Sequence, residues 1–205
     1  MNTHAKPDPA PPPPHHVCPW WVGYLLVSPL RKLAENPTRM LGPHLSPGMR
    51  VLDFGASMGF FSLPAARLVG PTGKVVCVDI QRKALAALRR RARRAGLEAR
   101  MEMVLATNGS QWMEGLEASF DVALAIHVVH ELPDARTGLE RLVTALKPGG
   151  KLLLAEPQGH VSRATYDAEV GHVRGLGLSP AEALSVRRSH IGLFVKQAPD
   201  VASMS

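Results

Sequence analysis

The segment VLDFGASMGFF, residues 51–61, carries the strongest structural signal in this chain. An apolar strand enters a glycine-containing turn, and a helix begins directly after it. Twenty positions beyond Gly59, Asp79 closes the next apolar run, VVCVD. A turn with few side chains lets a cofactor approach the backbone, and a carboxylate at the end of the second strand can accept hydrogen bonds from both ribose hydroxyls. This arrangement predicts an open α/β sheet that binds an adenosine-containing cofactor.

The spacing within the turn argues against a dinucleotide. The dinucleotide fingerprint, started at Gly55, requires glycine at position 57 and glycine or alanine at position 60, whereas the chain has Ser57 and Phe60. The last glycine of that fingerprint normally lets the first helix pack close to the strand and reach a pyrophosphate. A phosphate-binding oxidoreductase is therefore disfavoured. The alternative pattern D-x-G-x-G-x-G matches at Asp53, Gly55 and Gly59 and departs at Ser57.

With that pattern, the segment resembles motif I of the class I S-adenosylmethionine-dependent methyltransferases. Two later segments resemble the same family in the expected order. FDVALA, residues 120–125, resembles its fourth strand, and LKPGGKLLL, residues 146–154, resembles its helix-turn-strand connection into the fifth. The resemblance extends over residues 49–197 and is closest to the small-molecule branch. It implies S-adenosylmethionine as the cofactor and an α/β, Rossmann-like, mostly parallel seven-stranded sheet with a C-terminal antiparallel hairpin.

The chain divides into three predicted parts. Residues 1–16 are rich in proline and predict a disordered tail, residues 17–46 predict an N-terminal helical extension or lid, and residues 47–198 form the methyltransferase domain. Alternating strands and helices predict a parallel sheet. The predicted strands are Arg50–Phe54, Lys74–Asp79, Met101–Leu105, Phe120–Ile126 and Lys151–Glu156. The predicted helices are about Phe61–Val69, Arg82–Ala95, Ala135–Leu146 and Arg163–Arg174.

The end of the domain departs from this alternation. Two strand-like runs, Glu182–Arg188 and Ile191–Lys196, are separated only by Ser189 and His190. So short a connection joins antiparallel neighbours, which predicts a terminal hairpin.

Ligands of open α/β sheets bind where the carboxyl ends of the strands meet. At that edge the resemblance implies that Asp79 holds the ribose and Ile80 packs on the adenine face. Thr107 and Asn108, after the third strand, would contact the adenine edge. The other implied cofactor-binding residues are Asp53, Gly55, Ala56, Ser57, Gly59 and His127. Asp53 would lie near the methionine amine or would close the turn after the first strand. His127 could equally have a structural role. Ser57 would have a strained backbone if its position needs a positive φ.

The methyl acceptor has its own set of candidate residues. His130 is placed to face the sulfonium and could act as a base, since imidazole titrates near neutrality. Glu131 or His160 could be its partner. The other candidates for the acceptor pocket are Trp20, Trp21, Tyr24 and His160. The aromatic N-terminal extension that carries the first three would cover this pocket, or else pack on the sheet edge or on a partner subunit.

The histidine-rich segment HVVHE, residues 127–131, does not predict a metal centre. The zinc motif H-E-x-x-H has its glutamate directly after the first histidine and lies within a helix, whereas Glu131 follows the second histidine at a strand end. No metal is expected.

Charge and composition restrict the remaining function classes. The net charge of +7 arises largely from cations on the predicted helix at 82–95, whose simplest interpretation is a solvated face. An RNA-binding stripe is disfavoured because interleaved aromatic residues are absent from that helix.

Cys18 and Cys77 form no disulfide framework, and Cys77 is expected to be buried in a strand. Without a signal peptide or a long apolar span, we expect a cytoplasmic protein that acts away from membranes as a monomer or homodimer.

The favoured function is transfer of a methyl group to a small molecule by in-line displacement. An RNA or protein methyltransferase is the first alternative, although no separate RNA-binding module and no N/D-P-P-Y/F motif after the fourth strand are evident. A catalytically weak relative that only binds the cofactor is the second, because Ser57 departs from the glycine pattern. The scarcity of cysteines argues against arsenite methylation.

Overall fold

In the computed structural model, described residues are 35–106, 113–182, 184–186 and 188–198. Within them the strands are β1 Arg50–Phe54, β2 Lys74–Asp79, β3 Met101–Leu105, β4 Phe120–Ile126, β5 Leu146–Pro157, β6 Leu178–Glu182 and β7 Ser189–Lys196. The α-helices are α1 Pro37–Leu41, α2 Ser62–Leu68, α3 Arg82–Arg94, α4 Ala135–Ala145 and α5 Arg163–Gly175, with short 3-10 turns at Glu98–Arg100 and Val129–Glu131. The predicted tail and most of the predicted N-terminal extension lie outside the described residues.

The strands form one seven-stranded sheet in the order β3-β2-β1-β4-β5-β7-β6. All neighbouring pairs from β3 to β5 are parallel, and β7 runs antiparallel to both β5 and β6. The predicted Rossmann-like fold class is confirmed. Strand order reverses direction between β1 and β4, which opens a crevice at the carboxyl ends of these two strands, where such sheets bind ligands.

The sheet forms because its central strands are apolar on both faces. Alternate residues of a strand point to opposite faces, so each central strand supplies both sides of the core. Val75 and Cys77 pack with α2 and α3 on one face, while Val76 and Val78 pack toward α4 and α5 on the other. Cys77 is a buried free thiol, as the sequence predicted.

The segment LKPGG, expected as a turn between helix and strand, is instead a bulged start of β5. Leu146 pairs with Phe120 and Lys151 pairs with Val122, so the residues between them bulge out of the ladder. Glycine is required at position 150, where an added Cβ would lie 3.0 Å from the carbonyl oxygen of Phe120. The bulge lets the chain leave α4 and join the sheet without a separate loop.

The predicted first strand of the hairpin, Glu182–Arg188, is wrong. The structure places β6 at Leu178–Glu182, because Gly177 adopts φ +86 and turns the chain into the sheet right after α5. The second strand also begins earlier than predicted. Ser189 pairs with Pro157 and His190 pairs with Glu156, so both residues belong to β7 and lie at the carboxyl end of β5 rather than at a turn.

Lys196 of β7 joins this strand to the C-terminal end of α4. Its Nζ donates to the carbonyl oxygens of Val143 at 2.7 Å and of Leu146 at 2.8 Å. The carbonyl oxygen of Val143 also accepts the N–H of Leu146, and the ammonium adds a cation that complements the helix dipole.

Replacement of this ammonium tests the contact. Lys196→Met should lower the free energy of unfolding by about 1–3 kcal/mol, because the carbonyl oxygens of Val143 and Leu146 lose a charged donor, although that of Val143 keeps the N–H of Leu146. Urea denaturation followed by circular dichroism measures the loss. Lys74→Met is the control, since Lys74 donates to an exposed carbonyl of Ala99 at 3.3 Å and should change stability by less than about 0.5 kcal/mol. Equal losses in both variants would contradict the proposed contribution.

Candidate cofactor and acceptor site

Asp79 joins the end of β2 to the glycine turn after β1. One carboxylate oxygen accepts a hydrogen bond from the backbone N–H of Ser57 at 2.8 Å, and the other accepts one from the backbone N–H of Gln81 at 2.7 Å. Each oxygen of a carboxylate can accept a second hydrogen bond, so the two ribose hydroxyls of a cofactor would still find acceptors. Burial raises the pKa of Asp79, while the N–H donors of Gln81 and Ser57 oppose that rise.

Ser57 occupies a position where the motif D-x-G-x-G-x-G has glycine, and it adopts the left-handed conformation with φ 48. Its backbone N–H can reach Asp79 only because the turn is bent in this way, so the strain of a non-glycine residue is offset by a charge-assisted hydrogen bond. Ala56 beside it is buried.

The two glycines of the turn are required by packing within the protein. Gly55 has φ +76, and an added Cβ would lie 2.4 Å from Cγ2 of Val128, which follows β4. Gly59 has φ +82, and its added Cβ would lie 2.2 Å from Cδ1 of Leu88 on α3. The sequence pattern indicated that a cofactor approaches the backbone of this turn. In the structure the segment after β4 and the helix α3 also pack closely against it.

Asp53 lies beneath the turn at the end of β1 and is 3 % exposed. Its carboxyl accepts a hydrogen bond from the hydroxyl of Ser62 at the start of α2. Burial raises the pKa of Asp53 to about 7, the Ser62 hydroxyl opposes the rise, and the charge of Asp79 adds to it. In the structure Asp53 therefore anchors the helix that follows the turn.

Ile80 follows Asp79 and is 58 % exposed, although most large apolar side chains of the described residues lie in the core. An exposed apolar side chain beside a carboxylate is suited to packing on a planar base. Thr107 and Asn108, predicted at the adenine edge, lie outside the described residues, as do Trp20, Trp21 and Tyr24 of the predicted acceptor pocket.

His127 directly follows β4 and has φ 58, and its backbone N–H donates to the carbonyl oxygen of Ala155 at 2.7 Å. Its Nε2 lies 3.0 Å from the hydroxyl of Ser189 and 3.9 Å from a carboxylate oxygen of Glu35. The side chain thus connects β4 to the beginning of β7 and to the described end of the N-terminal extension.

His130 is held by Glu156, rather than by the predicted partners Glu131 or His160. Its Nδ1 is hydrogen-bonded to Oε2 of Glu156, and Oε1 of the same carboxylate accepts the backbone N–H of Val129 at 2.9 Å. The ring of His160 lies near, with centroids 5.7 Å apart and planes at 87°. The hydrogen bond to Glu156 raises the pKa of His130, against the effect of burial.

Sequence reasoning placed Glu156 at the correct strand end but assigned it no role. Leu152, Leu154 and Glu156 alternate along β5 and point to the same face, so the carboxylate terminates a buried apolar row. An acidic residue at the end of such a row is the signal that could have found it. Its partner follows β4, and only the pairing of Ile126 with Ala155 brings the two strand ends together.

Two side chains of α5 complete this cluster. Tyr166 donates its hydroxyl to the carbonyl oxygen of Leu154 at 3.3 Å and stacks on the ring of His190, with centroids 5.4 Å apart. Glu169 is 8 % exposed, and its Oε2 has no hydrogen-bond partner among the described residues. Burial and the charge of Glu156 raise the pKa of Glu169 to about 7, which the charge of His130 partly offsets.

Within the described ranges, no group of three or more histidine, cysteine, aspartate or glutamate side chains is arranged to hold a metal ion. No helix in the same ranges is both long enough and apolar enough to cross a membrane.

The geometry can be compared with known proteins. A family model described as a methyltransferase domain matches residues 45–174, more than half of the chain. The chain belongs to this methyltransferase family. Its cofactor is S-adenosylmethionine, and the predicted enzyme class is confirmed.

Curated relatives include the ubiquinone/menaquinone biosynthesis C-methyltransferases of Shewanella halifaxensis and Shewanella oneidensis. These are 30 % and 32 % identical to this methyltransferase over 124 residues, which cover 59 % of the chain and 49 % of each relative. The chain therefore spans about half the length of the curated relatives it matches.

Solved structures share the fold at lower identity. A S-adenosylmethionine-dependent methyltransferase from Aquifex aeolicus aligns with a TM-score of 0.75 and 22 % identity, over 86 % of this chain and 97 % of that one. The carbon methyltransferase CurJ aligns with a TM-score of 0.67 and 14 % identity, over 89 % of this chain and 60 % of that one. These similarities support the fold alone.

The strain at Ser57 is directly testable. Ser57→Gly should raise the free energy of unfolding by about 0.5–1 kcal/mol, because relief of left-handed strain exceeds the added entropy of the unfolded chain. The hydrogen bond to Asp79 comes from the backbone and is retained. Chemical denaturation of both proteins measures the difference. Ser46→Gly is the matched control, since Ser46 is exposed and has no positive φ, and it should be neutral or destabilising. A loss of stability in Ser57→Gly would refute the strain.

Proposed function

We propose that this methyltransferase transfers the methyl group of S-adenosylmethionine to a small-molecule acceptor. The observation that carries the proposal is the Asp79 carboxylate, fixed by the N–H groups of Ser57 and Gln81 beside the exposed Ile80. The names of the curated relatives support the acceptor class, because ubiquinone and menaquinone are small molecules.

The residues of the chain have distinct proposed roles. Asp79 would accept the ribose hydroxyls and Ile80 would cover the adenine, while the turn at 55–59 would lie along the methionine part. The bound cofactor would supply a methyl group on a sulfonium, and an acceptor would attack the methyl carbon in line with the carbon–sulfur bond, with the thioether as the leaving group. Orientation of the two reactants provides much of the acceleration in such reactions. His130, His127 and His160 lie at the carboxyl ends of β4 and β5, where the acceptor would be oriented.

The N-terminal extension is proposed to cover the acceptor. Its described end reaches the site, since a carboxylate oxygen of Glu35 lies 3.9 Å from Nε2 of His127. From there α1 packs beside α2, and Leu41 and Leu45 enter the core. The aromatic residues of positions 20–24 precede this anchored part and would add an apolar cover to the same edge.

Loss of the ribose contact tests the cofactor assignment. Asp79→Ala should weaken the binding of S-adenosylhomocysteine about 10- to 100-fold, because hydrogen bonds to a charged group contribute about 1.5–3 kcal/mol. Isothermal titration calorimetry on correctly folded protein measures the affinity. Asp167→Ala is the matched control, since Asp167 lies exposed on α5 and pairs with Arg163, and it should bind as the wild type does. Undiminished binding by Asp79→Ala would contradict the assignment.

A basic surface on α3 favours RNA as a second candidate acceptor. The helix has no acidic residue, and its exposed cations are Arg82, Lys83, Arg89, Arg90, Arg93 and Arg94. Arg93 pairs with Glu98 at 2.8 Å. Like charges at i and i+4 destabilise a helix, so an anionic partner would relieve repulsion between Arg89 and Arg93.

The RNA alternative makes its own prediction. If RNA is the acceptor, the triple variant Arg89→Gln, Arg90→Gln, Arg94→Gln should lose most RNA affinity, and wild-type binding should weaken steeply with salt. Fluorescence anisotropy with a labelled single-stranded RNA measures both. Arg163→Gln on α5 is the control. Salt-insensitive or undetectable binding by the wild type would remove this candidate and leave the small molecule.

A further inference from the structure

We propose that Glu156 is a positioning residue that holds His130 as the proton acceptor for the attacking group of the methyl acceptor, an inference that rests on the proposed methyl transfer. The His130–Glu156 pair lies where β4 and β5 end side by side. Glu156 is fully buried, whereas the His130 side chain is 20 % exposed. The buried member can thus orient the ring while the other side of the imidazole remains accessible.

The hydrogen bonds of Glu156 determine which nitrogen of His130 carries the proton. One oxygen accepts the N–H of Val129 at 2.9 Å, and the other is bonded to Nδ1 of His130. An ionised carboxylate has only acceptors, so Nδ1 must be the donor in this pair. In the neutral ring Nε2 is then the unprotonated nitrogen, which is the form that a base requires.

Several charged groups face His130 from the elements around it. Glu156 comes from β5, Glu131 from the same turn and Glu169 from α5, and the His160 ring packs edge-on. The hydrogen bond and charge of Glu156, with the charges of the other two glutamates, raise the pKa of His130 against the opposing effect of burial. The raised pKa makes His130 a stronger base, but only the neutral ring accepts a proton. Turnover should therefore rise with pH through this raised pKa.

The proposed step requires an acceptor whose attacking atom carries a proton at neutral pH. That proton moves to Nε2 of His130 while the atom's electron pair forms the bond to the methyl carbon. The bond between carbon and sulfur breaks, and its electron pair stays on sulfur, which becomes a neutral thioether. The imidazolium, stabilised by Glu156, then releases its proton to solvent. An acceptor that has no proton to lose would gain nothing from the pair.

Titration of the ring tests the pair without any acceptor. In NMR spectra of the wild-type protein with ¹³C-labelled imidazole rings, the signal of His130 is assigned by its absence in His130→Gln. Its titration should give a pKa above the ordinary value of histidine. Glu156→Gln should lower that pKa. Glu140→Gln is the matched control, because Glu140 lies 3.4 Å from Nε2 of His172 on neighbouring helices and should leave His130 unchanged. If Glu156→Gln fails to fold, the titration of the wild-type protein still tests the proposal, because an ordinary or lowered pKa of His130 would overturn it.

Kinetics separate this proposal from the proposed function. On an acceptor found in a panel screen, Glu156→Gln should lower kcat at least tenfold, with KM for the cofactor and S-adenosylhomocysteine affinity unchanged. The rising limb of its pH profile should move to lower pH, and Glu156→Asp should restore part of the rate. Glu169→Gln should move the same limb more weakly, because Glu169 contributes charge alone. Unchanged kcat in Glu156→Gln overturns the pair, whereas a wild type that binds no S-adenosylhomocysteine overturns the proposed function itself.

Discussion

The hydrogen bond from the backbone of Ser57 to the carboxylate of Asp79 joins the turn after β1 to the end of β2. Ser57 is left-handed in this turn, and Gly55 and Gly59 allow Val128 and Leu88 to pack closely against it. The same carboxylate is the proposed ribose acceptor. The proposed cofactor site, the packing of α3 and the segment after β4 thus meet at one bent backbone.

Buried carboxyl groups concentrate at the carboxyl edge of the sheet. Asp53 and Asp79 lie beside the turn after β1, and Glu156 and Glu169 lie near His130. Burial of a carboxyl raises its pKa unless hydrogen bonds or cations stabilise the charge. The N–H donors of Gln81 and Ser57 oppose the effect of burial on the pKa of Asp79, which is still raised. The carboxylate of Glu156 accepts the N–H of Val129 and is hydrogen-bonded to the ring of His130. Hydrogen-bonded carboxyl groups therefore lie where the proposed chemistry needs hydrogen-bond acceptors.

Local sequence predicted the central sheet well and its outer edge poorly. The bounds of β1, β2, β3 and β4 agree with the predictions. The strands β1, β2 and β4 are largely buried and therefore form continuous apolar runs that end in turn residues, whereas the edge strand β3 is mostly only partly buried. The outer strand β6 has only Leu178 buried, so its sequence carries little of that signal. Its position follows from pairing with β7 and from the turn at Gly177, which are contacts between distant parts of the chain.

By itself, the sequence determined the fold class, the family, the cofactor and the strand end that bears Asp79, because these depend on residue types at fixed local spacing. Tertiary structure alone decided that His130 is paired with Glu156 and that His127 meets Ser189. The physical reason is register: parallel pairing of β4 with β5 and antiparallel pairing of β5 with β7 bring together side chains separated by 26 and 62 positions. No local sequence pattern specifies which residues so far apart in the chain will meet, whereas the buried hydrogen bonds of the sheet fix these pairs.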